Sequence, residues 1–472
     1  MQFNLQALVL SGILALAVIL RFVGLGTESL WQDEILSVLE SRRPWVDIIT
    51  ERLSFNRFNQ PFYFLIIHFW AQAFGESEFA LRAPSAIFGV ATVLATFILA
   101  RHLLNAWVAL GAALMAAVSP ALVWYSQEVR AYSLSAFLLV VSTYFLIRYL
   151  ETRRNWLLIA YAGTSFLGCY AHYYFLPFFA AHNLVALVWL LRTEGRSDLI
   201  KWLAAQLIVV LALIARISTV LDDVSGSSDT FTVSLSEFLL DFGQFLGFRD
   251  QGSIDFYIPW GLWFLYIIVW AIILASSVVA IWRRDKVALL VVICLLTLIQ
   301  LVIGGLLFDL PLVQRYLVPT IPLWSIITCY GFAWLATQLP PPRPATISVF
   351  VTIGVALLLS WTLTSWAQGL TTPAKQQWRE SAWFVENNAL PSDMLSVVPP
   401  RHFKHLDYYL ENHGWEFLNK PMCQEHRRVW VVGQNLRVAR LAKELQQSCS
   451  GMITTKFVGI RVIALLPLSS SR

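Results

Sequence analysis

Long apolar runs alternate with short polar gaps along most of this chain, and the runs have the length that crosses a bilayer. They fall near residues 5–22, 80–100, 105–123, 129–149, 155–170, 174–191, 202–221, 257–282, 287–308, 316–337 and 345–366, which predicts a polytopic α-helical membrane protein with about eleven transmembrane helices. A further apolar stretch, Pro61–Phe74, contains His68 and Gln72. It reaches only about 21 Å as a helix, against a hydrocarbon core of about 30 Å, and reads as an amphipathic helix lying in the interface. After Trp366 the pattern changes. Helix-like segments (Trp378–Asn388, Phe403–Asn412, Leu436–Gln447) there alternate with strand-like ones (Met394–Val398, Val429–Val432, Thr454–Val458, Val462–Leu466), which predicts a small α/β domain. The expected division is a transmembrane module over residues 1–368 and a soluble domain over 369–472.

Charge orients this array. With a cytoplasmic N-terminus and Pro61–Phe74 on the surface, the inside loops hold Arg101; Arg148, Arg153 and Arg154; Arg192, Arg196 and Lys201; Arg283, Arg284 and Lys286; and Arg343. Every one of them is basic, as cytoplasmic loops are, whereas counting 61–74 as a span breaks that rule five times. The loop Asp222–Asp255, with Arg249 its only basic residue, then lies outside, as does the C-terminal domain. The expected setting is a plasma or inner membrane, with the C-terminal domain periplasmic or extracellular. A composition of 57% hydrophobic and 13% charged residues makes the net charge of +5 a matter of topology, and no nucleic-acid partner is expected. The Leu5–Phe22 run lacks a basic leader and a cleavage site, and reads as a retained first span.

The external side gathers the residues able to do chemistry. Trp31-Gln32-Asp33-Glu34 places two adjacent carboxylates in the first external loop, residues 23–79. Asn59-Gln60-Pro61-Phe62-Tyr63, Phe74-Gly75-Glu76-Ser77-Glu78 leading to Arg82-Ala83-Pro84-Ser85, and Tyr125-Ser126-Gln127-Glu128-Val129-Arg130-Ala131-Tyr132 follow on the same side. His172-Tyr173-Tyr174 closes the fifth span, and Gln314-Arg315-Tyr316-Leu317-Val318-Pro319 comes later. Arg82 is expected to snorkel from the start of its span. The five cysteines have no metal-type spacing. Cys423 and Cys449, the two external ones, each precede a strand-like segment, so a parallel βαβ arrangement would bring them together as a disulfide.

Taken together, these motifs resemble the bacterial relatives of the protein O-mannosyltransferases and the lipid A aminoarabinose transferases, integral-membrane glycosyltransferases of the GT-C fold. The likeness is strongest over residues 1 to about 190 and returns at Gln314–Pro322. It implies transfer of a sugar from a polyprenyl-phosphate donor to a lipid, glycan or protein acceptor at the external membrane surface, with inversion. By the same resemblance Asp33 is the general base and Glu34 a supporting acid, although the residues alone leave the order of these two neighbours open. The chemistry asks for such groups, since an acceptor hydroxyl attacks well only as its proton is removed. A departing lipid phosphate needs fixed cations, for which Arg130 and Arg315 are suited by their planar, permanently charged forks. Glu128, Tyr132, His172, Tyr173 and Tyr316 complete the expected substrate-binding set. No cofactor or required metal is expected, with a divalent cation between Asp33 and Glu128 as the alternative. Two other classes fit the architecture, a transporter or flippase of lipid-linked sugars and a glycan ligase or polymerase. A transporter commonly shows midplane charges and paired repeats, neither of which stands out here.

Overall fold

The computed structural model describes residues 2–50, 61–193, 196–214, 271, 274–308, 314–338, 375–411, 414–419, 421–422, 427–445, 449 and 451–466. The expected loop 222–255, the span 345–366, most of the span 257–282 and Cys423 lie outside them. Among the described residues seven helices are long and apolar enough to cross a membrane, or eight if a bent pair counts as one span. The remaining helices of the expected set are the 17-residue Asn155–Ala171 and the two segments just named.

The first span, α1 (Gln2–Phe22), is followed by three short helices, α2 (Gln32–Ser41), α3 (Trp45–Thr50) and α4 (Pro61–Phe74). The last of these is a 14-residue helix that buries Tyr63, Phe64 and Ile67 against its neighbours α2, α5 (Glu78–Leu103) and α9 (Asn155–Ala171). The antiparallel pair α8 (Tyr132–Thr152) and α9 and the pair α5 and α8 pack closely at the centre of the bundle. Further spans are α10 (Leu176–Arg192), α11 (Arg196–Ile214), α13 (Val287–Phe308) and α14 (Ile321–Gln338), with the short α12 (Leu274–Arg283) between α11 and α13.

The run expected as one helix over 105–123 is instead two, α6 (Ala106–Val118) and α7 (Pro120–Ser126), bent by 55°. Proline has no N–H to continue the ladder, and Ser119 before it is extended, its hydroxyl accepting from Leu122 N at 3.4 Å to start the second piece. The carbonyls that the break releases find a cation. Arg21, buried at the end of α1, donates to Ala117 O at 3.0 Å and Ala116 O at 3.2 Å. Gln127, just past α7, donates in turn to Leu20 O at 3.2 Å. The break aims the chain from α7 across the end of α1, which positions the loop that follows.

The C-terminal residues form a five-stranded sheet in the order β2-β1-β3-β5-β4, where β1 is Met394–Val398, β2 Glu416–Phe417, β3 Val429–Gln434, β4 Met452–Lys456 and β5 Ile460–Leu465. Helices α15 (Trp378–Asn388), α16 (Phe403–Asp407) and α17 (Asn435–Leu445) accompany it. The last two strands sit two residues or less from the expected ranges, because Val458-Gly459 makes a tight hairpin turn with Gly459 at φ +68°. β3 and β4 are not adjacent, as the expected disulfide geometry assumed. β5 runs antiparallel between them, and the register Val429↔Leu465 and Met452↔Leu465 sets their starts level across one intervening strand. Cys449 is disulfide-bonded, and its expected partner Cys423 lies outside the described residues.

Candidate active site

Asp33 stands in the first turn of α2, where the helix N-terminus favours a carboxylate, and its side chain keeps 21% of its surface open. One oxygen, Oδ2, faces two guanidinium groups from distant parts of the chain, Arg130 Nη2 at 3.7 Å and Arg315 Nη1 at 3.6 Å. Arg130 comes from the loop between α7 and α8, is nearly buried, and also reaches Ser37 Oγ on α2 at 3.5 Å. Arg315 is the second residue of the 3-10 turn Gln314–Thr320 that leads into α14, and its side chain is 25% exposed. Three of the expected residues therefore meet at one partly open point.

Glu34, one residue on, points away from it into the protein. It is fully buried, and Arg82 holds it as a bidentate fork, Nε to Oε1 at 2.8 Å and Nη2 to Oε2 at 2.7 Å. Val129 N donates to Oε1 at 2.9 Å, and Trp31 N donates to Oε2 at 3.2 Å, closing the first turn of α2. Lys375 Nζ adds a contact to Oε2 at 3.4 Å. Burial alone would raise this carboxyl, but Arg82, Lys375 and the Val129 amide outweigh it and hold the group down at about 2.

Arg82 thus differs from the snorkelling side chain the sequence suggests. Besides Glu34 it donates to Leu25 O, Glu28 O and Ser29 O, each at 2.9–3.0 Å, because a guanidinium in a helix-packed site is stable only when its donors are used. Glu128 is buried in the loop that carries Arg130, and its charge acts on Lys375 and Tyr63. The Arg130 carbonyl is held by Ser85 Oγ at 3.1 Å, and Ser85 is in turn tied to Tyr63 OH at 2.8 Å.

Beside the arginines lies a cluster of rings. Tyr132, the first residue of α8, meets Tyr125 at 4.9 Å and His172 at 5.6 Å. Tyr316 stacks on Tyr174 at 3.7 Å and lies 5.5 Å from His172. Arg130 and Arg315 sit over Tyr132 and Tyr316, at 5.7 and 5.8 Å from the ring centres. His172 Nδ1 accepts from Tyr174 N at 3.2 Å, which leaves Nε2 as the N–H of the neutral ring. Tyr173 is half-buried in the turn Tyr173–Phe175. Tyr125 and Tyr174 join the expected residues here, and their place in motifs already singled out was the signal for them. Among the described residues no group of three His, Cys, Asp or Glu side chains is placed to hold a metal.

Two contributions come from the C-terminal domain, and the sequence offered no local sign of either. Lys375 reaches Glu34 as described. His405 of α16 is buried beside α2, and its imidazole is held down to about 4, by burial first, with the Asp33 charge pulling the other way.

The fold has counterparts among solved structures. ArnT from Cupriavidus metallidurans bound to undecaprenyl phosphate superposes with a TM-score of 0.58, at 14% identity over 96% of this chain and 97% of that one. The chain has the GT-C fold. Apo ArnT from the same organism gives a TM-score of 0.56, at 14% identity over 96% of each chain. The GT-C oligosaccharyltransferase AglB from Archaeoglobus fulgidus, in complex with an inhibitory peptide and a dolichol-phosphate, gives 0.53 at 13% identity, over 92% of this chain and 70% of that one. Residues 59–221 match the model of the dolichyl-phosphate-mannose-protein mannosyltransferase family. No curated protein shows a significant sequence match.

Proposed function

We propose that the protein is an inverting membrane glycosyltransferase that takes a sugar from a polyprenyl-phosphate carrier and delivers it to an acceptor hydroxyl at the external face. The observation that carries this reading is the convergence of Asp33 with Arg130 and Arg315 at a partly open point of a GT-C fold. The acceptor oxygen attacks the anomeric carbon and its proton passes to Asp33. The bond from that carbon to the phosphate oxygen breaks, and the carrier leaves as polyprenyl phosphate. Its charge is taken up by the two guanidinium groups, which remain protonated throughout. Glu34, whose oxygens are taken by protein donors, orients α2 rather than receiving the proton. The ring cluster beside the arginines offers faces and hydroxyls to the sugar.

The bundle supports an external orientation of the site. The starts of α2 and α8 and the end of α9 form the site, while Arg148, Arg153 and Arg154 mark the opposite end of α8 and α9. At that far end Glu151 joins His102 and Lys286 from two other basic loops. Taking that basic end as cytoplasmic supports a site at the external face.

The test compares cells with and without the protein by mass spectrometry of lipid-linked sugars and envelope glycans. Loss of the protein accumulates a donor and removes one modification. Asp33→Asn lowers transfer about 10²–10⁴-fold while undecaprenyl phosphate binding persists, and Arg315→Gln lowers both. Full transfer by Asp33→Asn overturns the assignment.

A further inference from the structure

Lys375 is the first described residue of the C-terminal domain, and only 6% of it is exposed. Its ammonium donates to Gln127 O at 2.8 Å and reaches Glu34 Oε2 at 3.4 Å, lying 5.8 Å from the centre of the Trp124 ring. Its backbone N–H donates to Glu28 Oε1 at 3.3 Å. Arg82 repels this charge, and Glu34, Glu128 and Glu28 attract it. One side chain of the C-terminal domain thus touches the two segments whose next residues face each other across the site. Glu34 is adjacent to Asp33, and Gln127 and Val129, both in this network, flank the approach to Arg130.

Docking alone does not call for this. Arg379 already fastens the domain from a partly open position, donating to Glu78 Oε1 at 2.8 Å and Thr27 O at 2.9 Å. Ser29 Oγ donates to Gln376 O at 2.9 Å, and Leu30 N donates to Tyr409 OH at 2.6 Å. Burying an ammonium costs several kcal/mol in desolvation, which ion pairing rarely more than offsets. In some proteins such a buried cation instead fixes a unique register among the groups it binds.

We propose that Lys375 is a positioning residue for the transfer reaction, locking the Gln127–Arg130 loop against the first turn of α2, so that Arg130 and Asp33 meet when the C-terminal domain is seated. The domain is then a structural half of the site and not a detachable lid. This rests on the reading of Arg130 and Arg315 as the phosphate-binding pair.

The experiment uses the full chain in lipid nanodiscs, with undecaprenyl phosphate as the probe and hydrogen–deuterium exchange as the second readout. Lys375→Met weakens probe binding about tenfold, and Lys375→Arg, which keeps the charge, recovers most of it. In Lys375→Met, exchange rises over residues 29–37 and 125–132 and stays unchanged in the sheet 429–465. Should Lys375→Met fail to fold, Lys375→Gln takes its place in both measurements. Wild-type binding and wild-type exchange in the neutral variant overturn the proposal, and so does a rise spread evenly over the sheet that Lys375→Arg does not reverse. Arg315→Gln separates the two readings. If it binds the probe as the wild type does, the phosphate-binding assignment falls, and the exchange pattern alone decides the role of Lys375.

Discussion

Adjacent residues on a helix point about 100° apart, and that angle divides the labour of the acidic pair. Asp33 faces the partly open point shared with Arg130 and Arg315, and Glu34 faces inward to α5 and the C-terminal domain. Removing one partner of such a buried pair strands the other charge, so Arg82→Met should cost about 3–5 kcal/mol and lower the thermal midpoint in detergent sharply. The same pair sets an acid limit. A carboxyl held at about 2 stabilises the fold fully above its ordinary value of 4.5, and the contribution drains away as pH falls from there toward 2. Glu34→Gln should therefore flatten the loss of thermal stability over that window, while starting less stable at neutral pH. An unchanged acid profile in Glu34→Gln would show that other groups govern it. The two carboxylates were legible in the sequence as a chemical suspect. Which of them faces the partly open point was not, because the deciding partners, Arg82 and Lys375, lie 48 and 341 residues further along.

Among the elements, the described spans were legible because an apolar run of sufficient length has few alternatives in a bilayer. The break at Ser119-Pro120 was less so. Hydropathy runs straight through it, and what makes it tolerable is Arg21 on another helix supplying donors to the freed carbonyls. Gly89 on α5 lets these parts approach. A Cβ there would sit 2.1 Å from Ser126 Oγ and 2.8 Å from Arg21 Nε. Gly89→Val should thus cost about 1–3 kcal/mol by overpacking, read as a lower thermal midpoint. Because α7 carries the loop of Arg130, undecaprenyl phosphate binding should weaken with it, and a variant as stable and as well-binding as the wild type would refute this placement. In the C-terminal domain the short strand Glu416–Phe417 escaped notice, since two residues carry no periodicity, and the hairpin at Gly459 shifted its flanking strands.

On the scale of the molecule, a basic end and the candidate site sit at opposite poles of the bundle, and the C-terminal domain sits on the side of the site. A disulfide at Cys449 fits an oxidising compartment on that side. Denatured but unreduced protein should take three maleimide labels, on Cys169, Cys294 and Cys329, and five after reduction. Five labels without reduction would argue against the external placement. The gathering of basic loops at one end was readable from their charges, whereas the seating of the domain was not, since Lys375, Arg379 and Tyr409 occur in a polar stretch with no motif. That strip interlocks with Thr27, Ser29, Leu30, Glu34 and Glu78 through side chains and backbone alike. A chimera carrying another relative's C-terminal half therefore has to import the matching 27–34 segment as well, and such grafts divide this protein along a seam that its primary structure does not reveal.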